Sequence, residues 1–182
     1  MSLLKRIINH IKGRPDIDKL KARGMRIGNN FHNSGGVILD PSHCWHITIG
    51  DNVTFAPMVH VLAHDTSTKR FLGYTKVANV VIGDNVFVGA GVIILPGVVV
   101  GDNVVIGAGS VVTKSIPANS VACGNPAKVV YTLEEYLNKE RKKMSDDNVF
   151  SEAYTLRNPK FGAPERERLL SSCENHKLRF VE

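Results

Sequence analysis

The sequence predicts an all-β solenoid, a parallel β-helix, on the strength of a six-residue repeat and of turns that recur at 18-residue intervals. Six aliphatic residues lie in register at a period of six, namely Ile82, Val88, Ile94, Val100, Ile106 and Val112. An α-helix would spread a period of six around its circumference, whereas short strands joined by tight turns each aim the same position inward. A hexapeptide repeat of this kind is typical of β-helix solenoids.

The repeat also sets the size of one coil. With three hexads per triangular coil, residues that are 18 apart stack at the strand spacing of about 4.8 Å. The letters GDN recur at this spacing, at 83–85 and 101–103. Asn85 and Asn103 are therefore predicted to stack in corners that tolerate unusual backbone angles.

One coil is predicted to carry an extruded loop. An earlier GDNV begins at Gly50, which lies 33 residues before Gly83, so one coil of 18 leaves 15 residues over. We place the loop at about residues 64–80, where the stretch HDTSTKRFLGYTKVANV interrupts the repeat. Long loops inside compact repeats are usually functional or disordered.

The segments on either side are predicted to be helical. Residues 1–24 form an N-terminal helical arm whose apolar residues share one face over 3–12, residues 25–131 form the solenoid, and residues 132–182 form a C-terminal helical extension. In the extension, Thr132 is followed three residues later by Glu135, a capping box that marks a helix start.

Composition narrows the classes of function. The 182 residues carry a net charge of +6, and the arm holds the excess, with eight Lys or Arg against two acidic residues in 1–26. Such an arm could contact a membrane surface, an anionic carrier or another partner, or it is a solvated helix face. No apolar run approaches a membrane span and no signal peptide opens the sequence, so we expect a cytoplasmic protein. No motif supports nucleic-acid binding.

His64 is the principal candidate for catalysis. It begins the extruded loop, where a rigid coil meets an irregular segment. Its neighbour Asp65 and the upstream Asp40 are the carboxylates that could orient its imidazole, as a general base requires.

A metal site is the alternative interpretation of the histidines. His43, His46, His60 and His64 cluster in the sequence, and a metal-dependent hydratase using His43, His60 and His64 is one hypothesis. The coil register breaks between residues 39 and 49, which weakens the stacking that would bring ligands together, so we expect no metal.

Small and basic residues indicate a groove for a slender anionic ligand. Ala90 and Ala108 are 18 apart and are predicted to stack as a nearly featureless outer face, or simply as turn packing. Thr113, Lys114 and Lys128 lie at the end of the solenoid, where two ammonium groups would suit phosphate. The GAG at 89–91 and 107–109 is no dinucleotide fingerprint, because no third Gly follows and no helix opens there.

Residues 25–131 resemble the left-handed β-helix acyltransferases of the hexapeptide-repeat superfamily, above all the galactoside and maltose O-acetyltransferase branch and its polysaccharide-modifying relatives. The residues that carry the resemblance are IGDNVTFAP, LAHD, VIGDNVFVGAGVIILPGVVVGDNVVIGAGSVVTKSIP and GNPAK. The resemblance implies a left-handed parallel β-helix and an acetyltransferase that uses acetyl-CoA. It also implies a homotrimer in which the loop covers the groove of a neighbouring subunit.

By the same resemblance, His64 matches the catalytic histidine. Ala90, Ala108, Thr113, Lys114 and Lys128 match positions that contact coenzyme A, and Asn33 and Asp40 match the acceptor site, to which we add Asp65 and Tyr74. The implied reaction is acetyl transfer to a hydroxyl of a sugar or sugar-containing carrier. Transfer to an amine of an amino or nucleotide sugar is the alternative, and a non-catalytic scaffold is a further hypothesis.

Overall fold

The computed structural model describes residues 15–174 and 177–182, so the predicted arm helix at 3–12 lies outside the described residues. The chain divides into two compact units, one ending at Glu134 and the other running from Glu135 to Glu182. Within the described residues, no helix combines the length and the apolar character that a membrane crossing requires.

The first unit begins with helix α1 (Ile17–Ala22) and continues as a series of mostly very short strands. In chain order these are β1 (Arg26–Ile27), β2 (His32–Asn33), β3 (Ile38–Leu39), β4 (Ile47–Ile49), β5 (Thr54–Phe55), β6 (His60–Val61), β7 (His64–Asp65), β8 (Lys76–Val77), β9 (Val80–Ile82), β10 (Phe87–Val88), β11 (Ile93–Ile94), β12 (Val99–Val100), β13 (Val105–Ile106), β14 (Val111–Val112), β15 (Ser120–Gly124) and β16 (Ala127–Thr132). A short 3₁₀ turn, Cys44–His46, precedes β4, and helix α2 (Lys69–Leu72) lies between β7 and β8.

The strands of the solenoid form three sheets that the chain visits in rotation. Sheet A has the order β1-β4-β9-β12, sheet B has β2-β5-β10-β13-β15-β16, and sheet C has β3-β6-β11-β14. Residues one coil apart pair in parallel register, as Phe55, Val88 and Ile106 do in sheet B. Strand β16 turns back antiparallel to β15 and closes the last coil. The predicted parallel β-solenoid with 18 residues in a regular coil is confirmed.

The inward positions of the hexads make the core. The six aliphatic residues of the repeat are each at most 1% exposed, and side chains on the other face of the same strands, such as Phe87 and Val99, are nearly half exposed. Burial of each aliphatic side chain is worth about 1.5–3 kcal/mol, so the repeat stabilises the coils collectively. Asn33 is an exception, because it takes the inward position of β2 in register with Phe55. Its Oδ1 is buried without a hydrogen-bond partner among the described residues.

The corner between sheets A and B carries a ladder of asparagines. Asn30, Asn52, Asn85, Asn103 and Asn119 all have φ between 54° and 57°, in the left-handed region. Each side-chain amide donates to the Oδ1 of the next asparagine, over 2.9, 3.2, 3.1 and 3.0 Å in chain order. Asparagine tolerates this backbone conformation better than most residues, and here its side chain also links the coils. The predicted stacking of Asn85 and Asn103 is confirmed.

All changes in coil length fall at the corner between sheets C and A, which we call the C–A corner. The inward residues are six apart from sheet A to sheet B and from B to C throughout the solenoid. From sheet C to sheet A the steps are ten residues (Leu39 to Ile49), 21 (Val61 to Ile82), six (Ile94 to Val100) and four (Val112 to Ile116). The register break expected between residues 39 and 49 is the first of these irregular steps.

The second irregular step is the extruded loop, and it is ordered. Strands β7 and β8 form an antiparallel pair at its base, with His64 opposite Val77 and Asp65 opposite Lys76. Helix α2 occupies the tip and ends at Gly73, whose φ is 79°. Phe71 and Tyr74 are about four-fifths exposed, at 82% and 79%.

The C-terminal segment contains helix α3 (Leu133–Arg141), which begins directly after Thr132 and crosses from the first unit into the second. The second unit also contains helix α4 (Ala163–Ser172) and a parallel pair of strands, β17 (Val149–Phe150) and β18 (Phe180–Val181). Phe150 is buried and packs edge-on against Tyr154, with ring centroids 4.8 Å apart.

Candidate active site

The C–A corner pairs a histidine with a buried carboxylate. His64 begins β7 and its side chain is 27% exposed, whereas Asp40 directly follows β3, one coil earlier, with a side chain that is 0% exposed. Nδ1 of His64 donates to Oδ2 of Asp40. An ionised carboxylate only accepts hydrogen bonds, so the shared proton belongs to Nδ1 and the neutral ring keeps a free lone pair on Nε2. This is the tautomer and orientation that a general base requires.

Asp40 is fixed by its backbone surroundings. Oδ1 accepts from the amides of Ser42 and His43 at 3.0 and 3.1 Å. Oδ2 accepts from the amides of Ala63 and His64 at 2.9 and 3.1 Å, besides the His64 ring. Burial raises the pKa of the carboxyl, but the hydrogen bonds from the His64 ring and the backbone amides outweigh burial, so the pKa lies below its ordinary value. Asp40 is therefore an anion at neutral pH.

Asp65, the other carboxylate predicted to orient His64, is engaged elsewhere. Its Oδ2 lies 2.5 Å from Nζ of Lys76 across the base of the loop, and its Oδ1 accepts from the amide of Ser67 at 2.8 Å. The hydrogen bond with Lys76 is the main reason that the pKa of Asp65 falls to about 2. Of the two candidates, Asp40 holds the imidazole and Asp65 closes the loop.

A second imidazole, that of His43, lies against the imidazole of His64. The ring of His43 is 4.6 Å from that of His64 between centroids, at an interplanar angle of 36°. Its Nδ1 is buried and has no hydrogen-bond partner in the part of the chain that the structure describes. Asp40, His43 and His64 bring ligand-type atoms within 4.8 Å of one another, close enough for a metal. Both oxygens of Asp40 already accept several hydrogen bonds, however, which favours the orienting role over coordination.

The hydratase hypothesis requires His60, and the structure places His60 elsewhere. His60 is on the outer side of sheet C, between Ile38 and Ile93 in the strand register. His46 has its ring 6.4 Å from that of His43, but its Nδ1 lies 2.7 Å from Oδ1 of Asn79. The predicted ligand set of His43, His60 and His64 is therefore wrong as a set among the described residues.

The residues predicted to bind coenzyme A fall at two corners of the coil. Ala90 and Ala108 stack in the exposed turns between sheets B and C, where the amide of Gly109 donates to the carbonyl of Ala90 at 2.8 Å. Thr113 and Lys114 lie at the C–A corner with His64, and both are exposed.

A groove runs beside the base of the loop. It has a volume of about 320 Å³ and is lined by Asp65, Lys76, Val77, Ala78, Leu95, Pro96 and Thr113. Within one chain, Thr113 therefore lies in the groove beside the loop and near His64, whereas Ala90 and Ala108 lie at a different corner of the coil. Lys128 is exposed on β16.

The predicted acceptor residues are scattered. Asp40 pairs with His64, in what we call the Asp40–His64 dyad, Tyr74 is exposed near the loop tip, and Asn33 takes the inward position of β2. Sequence reasoning did not single out Trp45, which is 43% exposed with its ring 5.4 Å from that of His43. The signal that could have found it is the excess length between Leu39 and Ile49.

The chain is similar in sequence and in fold to known proteins. The bacterial transferase hexapeptide family (six repeats) matches residues 79–114. Protein CapG of Staphylococcus aureus is 41% identical over 127 residues, covering 67% of this chain and 74% of that protein. The solved structure of a galactoside acetyltransferase in complex with coenzyme A is 30% identical, with a TM-score of 0.54, and the match covers 74% of this chain and 80% of that one. The chain belongs to the hexapeptide-repeat acetyltransferases.

Other members of this acetyltransferase family match over less of their length. Galactoside O-acetyltransferase of Escherichia coli (strain K12) is 42% identical over 118 residues, covering 61% of this chain and 55% of that protein. The chain thus spans little more than half of several curated relatives. The resemblance found in the sequence is confirmed, and the family implies that the hexapeptide-repeat coils wind in the left-handed sense.

Proposed function

We propose that the protein is an acetyl-CoA-dependent O-acetyltransferase that acts on a hydroxyl of a sugar or of a sugar-containing carrier. The observation that carries the proposal is the Asp40–His64 dyad, in which a buried anion fixes the imidazole of a partly exposed base. The relatives support the class of reaction, since they include a galactoside O-acetyltransferase and an acetyltransferase in complex with coenzyme A.

In the proposed mechanism, Nε2 of His64 takes the proton of the acceptor hydroxyl as its oxygen attacks the thioester carbonyl of acetyl-CoA. The tetrahedral intermediate collapses, the carbon–sulfur bond breaks, and the proton passes from His64 to the departing thiolate. Asp40 stabilises the imidazolium that exists between these two proton transfers. A positioned base of this kind contributes about 10²–10⁴-fold to the rate.

We propose that coenzyme A lies along Ala90 and Ala108, with Thr113, Lys114 and Lys128 at its polar groups. Small side chains let a slender ligand approach the backbone, and ammonium groups suit its phosphates. The alanines and His64 occupy different corners of one chain, and we infer that a second subunit supplies one of the two corners. A homotrimer with sites between subunits provides this arrangement, since cyclic closure repeats one contact in every subunit.

The test of the function is His64→Ala, with His32→Ala as the matched control on the exposed outer side of sheet B. We expect kcat for release of coenzyme A to fall by about 10²–10⁴-fold in His64→Ala, with the KM for acetyl-CoA and the melting temperature unchanged. His32→Ala should behave as wild type. Wild-type turnover in His64→Ala would remove the histidine from the mechanism.

The product identifies the acceptor group. An acetyl ester on a sugar hydroxyl is released by mild alkali, whereas an acetamide on an amino sugar resists it. We therefore expect alkali-labile acetyl groups on sugars incubated with the enzyme and labelled acetyl-CoA. Alkali-stable label would instead favour transfer to an amine.

A further inference from the structure

The first irregular step of the C–A corner forms a short, well-fixed segment beside His64. We call residues 41–46 the Trp45 segment. Its start is held by Asp40, which accepts from two of its amides, and its centre by Cys44, which is 0% exposed. Its end is joined to the base of the extruded loop, where His46 meets Asn79 at 2.7 Å. The segment therefore connects the two irregular steps that surround the dyad.

The aromatic rings of the Trp45 segment extend outward from the imidazole of His64. The His43 ring lies 4.6 Å from the His64 ring on one side and 5.4 Å from the Trp45 ring on the other. Trp45 is 43% exposed, although a tryptophan side chain is costly to leave in water and is highly buried on average. No Lys, Arg, Asp or Glu occurs in 41–46, so the segment itself adds neither an ammonium, a guanidinium nor a carboxylate to this surface.

We propose that Trp45 is an acceptor-binding residue, on which a sugar ring of the acceptor stacks while one of its hydroxyls, or a hydroxyl of the adjoining sugar, reaches His64. The inference rests on the proposed function. A sugar ring has an apolar face of C–H groups and a polar rim, and an exposed aromatic ring beside a few polar groups is the usual complement for such a ligand. The exposed indole therefore favours the C–H face of a pyranose ring at this position.

The segment also sets the proposed acceptor wall apart from the two alanines of the proposed donor channel. Ala90 and Ala108 lie in turns whose length never changes, whereas the Trp45 segment exists because its corner gained residues. A change of length at the C–A corner alters the acceptor wall without moving the inward residues of any sheet. Specificity for the acceptor therefore depends on this corner.

The first test uses fluorescence, because Trp45 is the only tryptophan in the chain. The full-length protein is titrated with methyl glycosides and with maltose, without acetyl-CoA, in wild type and in His64→Ala. Stacking of a sugar on the indole should quench or shift its emission, and the change should saturate. We expect it in both proteins, because His64→Ala keeps the indole of Trp45. Emission that stays constant at concentrations saturating in the kinetic assay would overturn the proposal.

The second test separates binding from chemistry. Trp45→Ala should raise the KM for a sugar acceptor about tenfold, as expected for the loss of about 1.4 kcal/mol of contact, and leave the KM for acetyl-CoA unchanged. Trp45→Phe keeps an aromatic ring and should recover most of the affinity. It also serves as the folding control, because Trp45 packs close to Gly24, where an added Cβ would lie 3.0 Å from the Trp45 Cβ.

The two hypotheses fail in different ways. Suppose that sugar acetylation requires His64, that Trp45→Ala leaves the acceptor KM unchanged, and that sugars do not alter the tryptophan emission. These results would overturn the role of Trp45 and leave the proposed function in place. Saturable sugar binding to Trp45 in a protein that acetylates no sugar would support the stacking role of Trp45 and overturn the proposed function. An acceptor KM that rises equally in Trp45→Ala and Trp45→Phe, with lowered melting temperatures in both, would make Trp45 a structural residue and overturn the inference.

Discussion

Asp40 concentrates more hydrogen bonds than any other side chain of the C–A corner, and it acts on the reaction only through His64. Asp40→Asn keeps the shape of the side chain but offers one accepting oxygen where five donors converge. We expect kcat to fall by about 10²-fold or more while the KM for acetyl-CoA stays constant, because the imidazole loses its orientation and its counter-charge. The free energy of unfolding should fall by about 1–3 kcal/mol, the cost of leaving a buried donor without a partner. Steady-state kinetics and urea unfolding measure the two effects.

The same carboxylate predicts a dependence of stability on pH. The pKa of Asp40 is lower in the folded protein than in the unfolded chain, so its contribution is complete above the unfolded value of about 3.9 and is lost as the pH falls through the folded value. The difference in unfolding free energy between wild type and Asp40→Asn should therefore shrink as the pH falls below about 5, where the carboxyl of Asp40 takes up a proton. A difference that keeps growing below about pH 5 would contradict the assignment of Asp40 as a stabilised anion.

Residue type and position in the chain were enough to single out His64 as a candidate, and the structure adds its hydrogen bond with Asp40. They were not enough to find its neighbours. His43 and Trp45 lie where the six-residue register is lost, and without the register no pattern in the sequence says which side chains meet. Asn33 shows the opposite difficulty. The family resemblance placed Asn33 at the acceptor site, and the register of β2 with β5 turns it toward the core.

Among the elements, the asparagine ladder provides a direct test of corner geometry. Asn103 donates to Asn119 and accepts from Asn85, and its φ is 56°. Asn103→Ala loses both bonds and strains the left-handed backbone, which costs about 1–2 kcal/mol for the backbone alone. Asn103→Gly loses the same bonds but adopts this φ without strain. We expect Asn103→Gly to be the more stable of the two in urea unfolding. Equal stability would mean that the side-chain bonds, and not the backbone angle, account for the effect.

The turns between sheets B and C test the proposed donor channel. Ala108→Trp places a large side chain on the exposed turn, where it should obstruct coenzyme A and raise the KM for acetyl-CoA at least tenfold without changing the fold. The matched control is Ala118→Trp, an exposed alanine at the corner between sheets A and B. The control should bind coenzyme A as wild type does in calorimetry. Equal losses in both variants would indicate damage to the coil instead of a blocked channel.

At this scale the sequence was informative wherever the repeat was intact. The hexads predicted the strands, the inward side chains and the length of the extruded loop, because each inward position is enforced by burial. The hairpin of β7 and β8 and the turn of helix α2 were not predicted. Their contacts are local and specific, such as the ion pair of Asp65 with Lys76, and the six-residue repeat does not predict such contacts.

For the whole molecule, the separation of His64 from Ala108 makes a prediction about assembly. If each site takes one corner from each of two subunits, then His64→Ala and Ala108→Trp damage different partners of the same site. At low acetyl-CoA each variant should have little activity alone, and activity should rise when the two are co-expressed, because random mixing leaves about one interface in four with both corners intact. Light scattering should give the mass of a trimer for each preparation. Mixed preparations no more active than either parent would place the whole site within one chain.

The asparagine ladder has a further consequence for how the protein ages. Asparagine deamidates when its side-chain carbonyl carbon is attacked by the backbone nitrogen of the next residue, and asparagines are among the thermolabile residues. In the ladder, Asn30, Asn52, Asn85 and Asn103 each use their amide nitrogen to hold the next rung, and bulky residues follow them. Asn119 accepts the last bond, donates to no further asparagine among the described residues, and is followed by the small Ser120. On long storage of the folded protein, peptide mass spectrometry should therefore find that Asn119 is the first of the five ladder asparagines to deamidate, and that the other four deamidate only after the coil has opened.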